Sequence, residues 1–315
     1  MSRTEGSGVD RVIVVDKPAG MTSHDVVQRV RRAIRQRRIG HAGTLDPAAT
    51  GVLVLLAGRA TRLSQYLTAA EKEYEGRLVL GVATDTQDAD GAVMSTADCS
   101  DVTETRLLEC FGEFTGDLLQ TPPMVSAVKR GGRRLYELAR EGVEVARDPR
   151  PVTVRELELV GFEPPDVRFR VVCSKGTYVR TLAADIGARL GCGAHLGELR
   201  RTRSGDFGLA EALPLARLES RQTRPALPGR SLYDALADIP SVTLSERQLD
   251  QVLEGQPAEF PEGVGHPPGA LVRATADGVH LTAIARVDEI SGGDGALLKP
   301  IRVFGEESER ETVAE

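Results

Sequence analysis

Apolar and polar positions alternate with two different periods along this chain. Val12–Val15 and Val52–Ala57 are short apolar runs of strand type. Tyr74, Leu78 and Leu80 fall on one face with period two, and Val152–Val160 and Val167–Val172 alternate apolar with polar. The last two follow one another across a short turn, which favours antiparallel pairing over a βαβ series. Between such segments the period lengthens. Val26, Val27, Val30, Ala33 and Ile34 share one helical face, with Ser23 as the expected N-cap. Thr177–Leu190 reads as an amphipathic helix closed by Gly191. Residues 219–231 lack periodicity and read as a linker. Beyond it, Val242–Leu249 reads as a capped helix start, and Leu271–Ala274, His280–Val287 and Leu297–Val303 read as short strands. The pattern predicts an α+β fold: a mixed, mainly antiparallel sheet with flanking helices over residues 1–230, then a small β-rich domain over 231–305. The acidic end, 306–315, is expected to be disordered.

Composition narrows the function classes. A length of 315 residues suits about two domains. No run of 18 apolar residues exists, and the polar start lacks a signal-peptide core, so no membrane partner is expected. Cys99, Cys110, Cys173 and Cys192 show no Cys-x-x-Cys spacing and read as free thiols of a reducing cytoplasm. The five histidines are scattered, so no metal site is expected. Tryptophan is absent, which argues against an extended aromatic platform for single strands. The net charge of −6 hides an asymmetry. Residues 1–62 carry eleven Lys and Arg against five Asp and Glu, whereas residues 231–315 carry six against sixteen. A polyanion would meet the N-terminal part. Its sharpest feature is Arg29–Arg38, with six arginines in ten residues. Such a run is either a solvated helix face or a set of phosphate forks.

The densest candidate chemistry lies in Gly40-His41-Ala42-Gly43-Thr44-Leu45-Asp46-Pro47-Ala48-Ala49-Thr50-Gly51. Two readings compete for Asp46. It caps a helix that starts at Pro47, or it projects from a rigid Gly-rich loop as a nucleophile or base. Thr86-Gln87-Asp88-Ala89-Asp90-Gly91 mimics a calcium loop, but position one is Thr86 and position twelve is Ala97, so it reads as a polar turn. A glycosidic hydrolase would need two carboxyl groups on one bond, and only Asp46 stands in a matching loop.

The same segment is very similar to the catalytic motif of the TruB family of tRNA pseudouridine-55 synthases. Five further segments resemble that family in order: Asp16–Ser23, Thr84–Gly91, Ser126–Gly142, Ser174–Leu182 and Gly191–Thr202. The resemblance runs from about residue 10 to 215 and implies a pseudouridine synthase-like fold with an RNA-binding insertion near 121–151. It implies an enzyme that needs no cofactor and no obligate protein partner, acting on the T arm of tRNA. By this resemblance Asp46 is the nucleophile or base, Arg180 pairs with it, and Tyr74 stacks on a flipped base. Tyr178 and Leu199 line the pocket, and His41 enters the loop that the base has left. Lys17, Arg35, Arg37, Arg38, Lys129, Arg133, Lys175 and Arg200 are the expected RNA contacts. The family usually ends in a small RNA-binding domain of PUA type, to which the acidic C-terminal part shows no clear match. All six motifs precede residue 215, so a chain ending near 230 is expected to keep activity.

Overall fold

The computed structural model describes residues 8–126, 128–220, 227–289 and 295–305. The expected acidic tail and residues 221–226 of the expected linker lie outside the described residues. The chain opens with β1 (Arg11–Lys17), α1 (Ser23–Ile34), β2 (Ile39–His41) and β3 (Thr50–Ala57). A 3-10 turn (Gly58–Leu63) and α2 (Ser64–Ala69) lead to β4 (Lys72–Leu80) and a ribbon of β5 (Val82–Thr84) and β6 (Val93–Thr96). Next come α3 (Glu104–Glu113), β7 (Gly116–Gln120), the small ribbon β8 (Lys129–Arg130) and β9 (Arg133–Arg134), and α4 (Leu135–Arg140). The hairpin β10 (Arg150–Glu163) and β11 (Asp166–Cys173) precedes α5 (Val179–Leu190), β12 (Ala194–Ser204), β13 (Phe207–Gly208), β14 (Leu213–Pro214) and α6 (Leu215–Glu219). The C-terminal part holds β15 (Ser241–Thr243), α7 (Glu246–Leu253), β16 (Ala258–Phe260), β17 (Leu271–Thr275), β18 (Ala283–Glu289) and β19 (Ala296–Val303).

The large sheet has the order β14-β1-β3-β12-β4-β11-β10-β7, with β2 on β3 and β13 on β12. Its pairs are antiparallel except β1 with β14 and β3 with β12. A second sheet, β15-β17-β18-β19-β16, makes up the C-terminal part. The mixed, mainly antiparallel α+β expectation therefore holds.

The apolar runs follow from burial on two sides. Ile13, Val15, Leu53 and Leu55 pack under α1 and α5 with Val26, Val30, Leu182 and Ile186. The alternate residues Val12, Val14, Val52, Val54 and Leu56 face the other way, against Leu63, Leu67, Leu232, Leu236, Ile284 and Phe304. With both faces covered, β1 and β3 have no polar alternation to show. In β11 only one face is covered, so Val167, Phe169 and Val171 point in while Arg168 and Arg170 do not.

Three local expectations need correction. The cap of α1 is Thr22, which forms a capping box with Asp25. Ser23 is inside the helix, and its hydroxyl is bonded to Leu45 instead. The C-terminal helix starts at Glu246 behind the capping box of Ser245 and Gln248, while Val242 belongs to β15, parallel to β17. The second long helix starts at Val179, not Thr177, and ends on Gly191 at φ 86°. Among the described residues no helix is long and apolar enough to cross a membrane.

Candidate active site

No helix follows Pro47. Residues 42–49 form a loop between β2 and β3, closed by a turn in which Ala49 N–H donates to the Asp46 carbonyl at 3.1 Å. The helix-cap reading of Asp46 therefore falls. Instead, almost every neighbour of Asp46 is tied down. Ser23 Oγ accepts from Leu45 N–H at 2.8 Å, Gly20 N–H donates to Pro47 O at 2.9 Å, and Ala42 N–H donates to Val54 O at 2.9 Å. Lys17 Nζ donates to the carbonyls of Pro18 (2.9 Å), Met21 (2.7 Å) and Pro47 (3.1 Å). Lys17 is 0% exposed, so the expected phosphate contact by Lys17 is wrong: its ammonium is spent on backbone carbonyls, among them Pro47 of the loop. Arg201 donates from Nε to Val52 O (2.6 Å), from Nη2 to Gly43 O (3.1 Å) and from Nη1 to Thr44 O (3.4 Å). Glycine is required where the loop exits. At Gly51, φ is +99° and a Cβ would lie 2.2 Å from Arg201 O.

The Asp46 side chain is 44% exposed, while its partner Arg180 is 4% exposed. Arg180 sits one residue into α5 and donates from Nε to Asp46 Oδ2 at 2.9 Å. Its other nitrogens reach the carbonyls of Thr86 (3.0 Å) and Val125 (2.9 Å), and Nη1 lies 3.5 Å from Asp88 Oδ2. One guanidinium thus joins the Asp46 loop, the Thr86 turn and the segment before β8. The Thr86 turn is polar, as expected, with Asp85 Oδ1 accepting from Ala92 N–H at 2.8 Å.

Tyr74 lies on β4 directly opposite Arg201 of β12 and Val171 of β11. Burial pushes its phenol above the ordinary value, opposed by the Arg201 charge, so at neutral pH it is an O–H. Burial and Arg201 both lower the His41 pKa, so its imidazole is neutral, and Nδ1 is buried without a hydrogen-bond partner among the described residues. Tyr178 precedes α5, its backbone N–H held by Gln120 Oε1 at 2.7 Å. Leu199 is half-buried against the core, opposite Gly76 of β4.

Among the expected RNA contacts, Arg35, Arg37, Arg38, Arg133 and Lys175 are exposed. Arg133 pairs with Glu141, and Arg200 holds Asp16 at 2.8 and 3.1 Å. Lys129 lies on β8. Sequence reasoning missed Ser23, Asp88, Arg62, Arg201 and Arg302. Arg62 is held below its ordinary pKa by partial burial and by the charges of Arg302, Arg38 and Arg59. With Lys175 and Arg302 it lines a cavity of about 480 Å³. The acidic C-terminal part thus contributes Arg302 to a basic cluster beside the 3-10 turn and α2. Arg201 lies in the Gly191–Thr202 segment and shares strand parity with Leu199, but neither signal marks it as a support of the loop.

Residues 31–179 match the TruB family pseudouridylate synthase N-terminal domain, and residues 180–253 match the tRNA pseudouridylate synthase B C-terminal domain. The tRNA pseudouridine synthase B of Opitutus terrae is 55% identical over 67% of this chain and 88% of its own length. That of Geobacter sulfurreducens is 44% identical over 94% of this chain and 100% of its own length. A solved Cbf5-Nop10-Gar1 complex has a chain 29% identical to this one, with a TM-score of 0.75, covering 95% of this chain and 86% of that one. An H/ACA RNP bound to a substrate RNA containing 2′-deoxyuridine gives 28% identity and a TM-score of 0.72 over 94% of this chain and 85% of that one. The chain belongs to the TruB family of pseudouridylate synthases.

Proposed function

We propose that this chain converts uridine to pseudouridine at position 55 in the T arm of tRNA, with Asp46 as the residue that carries the chemistry. The reaction breaks the bond from ribose C1′ to N1, turns the base and joins C1′ to C5. The C5 proton leaves and N1 takes one up, so no co-reactant is needed. The target nucleotide leaves its stack to be reached. Asp46 acts on the ribose, either by attack on C1′ or by removing a ribose proton. Arg180 orients the carboxylate, and the neutral Tyr74 phenol offers a stacking face. His41, Tyr178 and Leu199 complete the pocket. Arg35, Arg37, Arg38, Lys129, Arg133, Lys175 and Arg200 grip RNA phosphates. On this reading residues 1–230 are the catalytic domain, with the RNA-binding insertion near 121–151, and 231–305 a small β-rich domain.

One observation carries the reading: a half-exposed carboxylate, in a loop tied down on both sides, bonded at 2.9 Å to a buried arginine. The test is Asp46→Asn, a nearly isosteric change. The expected outcome is loss of single-turnover conversion of T-arm uridine by at least about 1000-fold, with tRNA affinity and melting unchanged. Near-normal turnover would refute it.

A further inference from the structure

We infer that Arg201 is the positioning residue of this active site, the group that sets the Asp46 loop and the Tyr74 ring against one another. The inference rests on the roles proposed above for Asp46 and Tyr74. Arg201 is 1% exposed, and among the described residues no carboxylate lies in salt-bridge range of it. A buried charge with no counter-ion needs its donors filled. Here they are filled by the loop itself. Gly43 and Thr44, which accept two of the bonds, stand three and two residues before Asp46, and Val52, which accepts the third, stands just after the loop ends. The guanidinium therefore bridges the entry and exit of the loop from beneath.

The same group reaches the second catalytic element. Arg201 and Tyr74 are direct cross-strand partners, so the two side chains share one face of the sheet. The backbone of Arg201 is fixed in turn. It pairs with Gly51, where any Cβ would collide with it. Its side chain also touches the space beside Gly43, whose Cβ would lie 3.6 Å from Nη1. The arginine cannot shift without moving the loop it holds, and its strand position sets it beside the aromatic ring. Only a planar fork with five donors spans these acceptors; an ammonium is a single point. Catalysis is sensitive to small displacements of its groups, so the arrangement bears on rate more than on binding.

The experiment uses the full chain and four variants: Arg201→Lys, Tyr74→Phe, the double variant, and Asp46→Asn. Each is measured for single-turnover conversion of unmodified tRNA with enzyme in excess, tRNA Kd and thermal melting. Arg201→Lys is expected to lower the rate at saturating tRNA by at least about tenfold, with Kd within about twofold. The losses from Arg201→Lys and Tyr74→Phe are expected to be less than multiplicative when combined, because the two residues are direct cross-strand neighbours and the arginine charge acts on the phenol. Where Arg201→Lys does not fold, Arg201→Gln, which keeps two donors, replaces it. A near-normal rate, a fall in rate that only tracks the folded fraction, fully multiplicative losses, or failure of both replacements to fold would each overturn the positioning role. Asp46→Asn separates the two layers. If it is active, the underlying reading fails whatever Arg201 does. If it is inactive while Arg201→Lys is normal, only the positioning role fails.

Discussion

Lys17 and Lys72 bury their ammonium groups against backbone carbonyls, and burial pushes each from 10.5 down to about 8. Lys72 donates to Thr68 O at 2.6 Å and also to Ala70 O. An unfolded lysine keeps its proton to about pH 10.5, whereas these release theirs near 8 in the folded state. Between those values the unfolded chain binds more protons, so each lysine adds stability as pH rises. Cys173 has the opposite sign: burial pushes its thiol from 9.0 to about 11, so it subtracts stability above pH 9. Below pH 9 the lysine effect stands alone. The stability advantage of wild type over Lys72→Met is expected to grow between about pH 8 and 9, by at most roughly 1.4 kcal/mol per unit. Denaturant melts of both proteins at each pH measure it, and a flat or shrinking difference sinks the idea. At this scale the sequence made Asp46 and Arg180 legible, because their motif types and spacing are distinctive. It could not make Lys17, Ser23 or Arg201 legible as supports of the loop. Their bonds to the loop run to backbone carbonyls and amides 22 to 158 residues away, which leave no pattern in side-chain type.

Among the elements, β1 and β3 decide how the two sheets depend on each other. Leu232, Leu236, Ile284 and Phe304 are buried against the face that carries Val12, Val14, Val52, Val54 and Leu56. Each such side chain is worth about 1.5–3 kcal/mol of burial, so the four together contribute roughly 6–12 kcal/mol. That is comparable to the whole stability of an ordinary domain, about 5–15 kcal/mol. The motifs alone lead to the expectation that a chain ending near 230 keeps activity; the shared face reverses it, and a protein ending at Arg230 is expected to melt far below the full chain and to lose activity through unfolding rather than through a weaker grip on RNA. Melting and turnover measured together on the same preparation decide this. A truncation that melts with the full chain would show the shared face to be dispensable. The hairpin of β10 and β11 was legible because alternation and a short turn are local signals. The strand at Val242 was not, because it is set by parallel pairing with Arg273–Thr275, a distant partner.

For the molecule as a whole, net charge is a poor guide and placement a better one. Arg29 is spent on Glu219 and Arg31 on the Ile39 carbonyl, while Arg35, Arg37 and Arg38 stay exposed. Arg62 lies near Arg38 and, across a shared cavity, near Arg302 of β19, so the basic surface runs from the 3-10 turn onto the C-terminal sheet. Replacing Arg35, Arg37 and Arg38 with Gln is expected to flatten the dependence of log Kd for tRNA on log salt, by roughly one unit for each phosphate that an arginine no longer neutralises. An unchanged slope would make them plain solvated surface. The shared apolar face also has a consequence in time. Strand β1 is made early, but Phe304, which helps cover it, is added about 290 residues later. At synthesis rates of about 5–20 residues per second, the gap is roughly 15–60 s. Through that interval the growing chain carries the bare side of β1 and β3, and its solubility depends on whatever shields them at the ribosome. The protein ending at Arg230 is a standing copy of that moment, and how readily it aggregates measures the hazard.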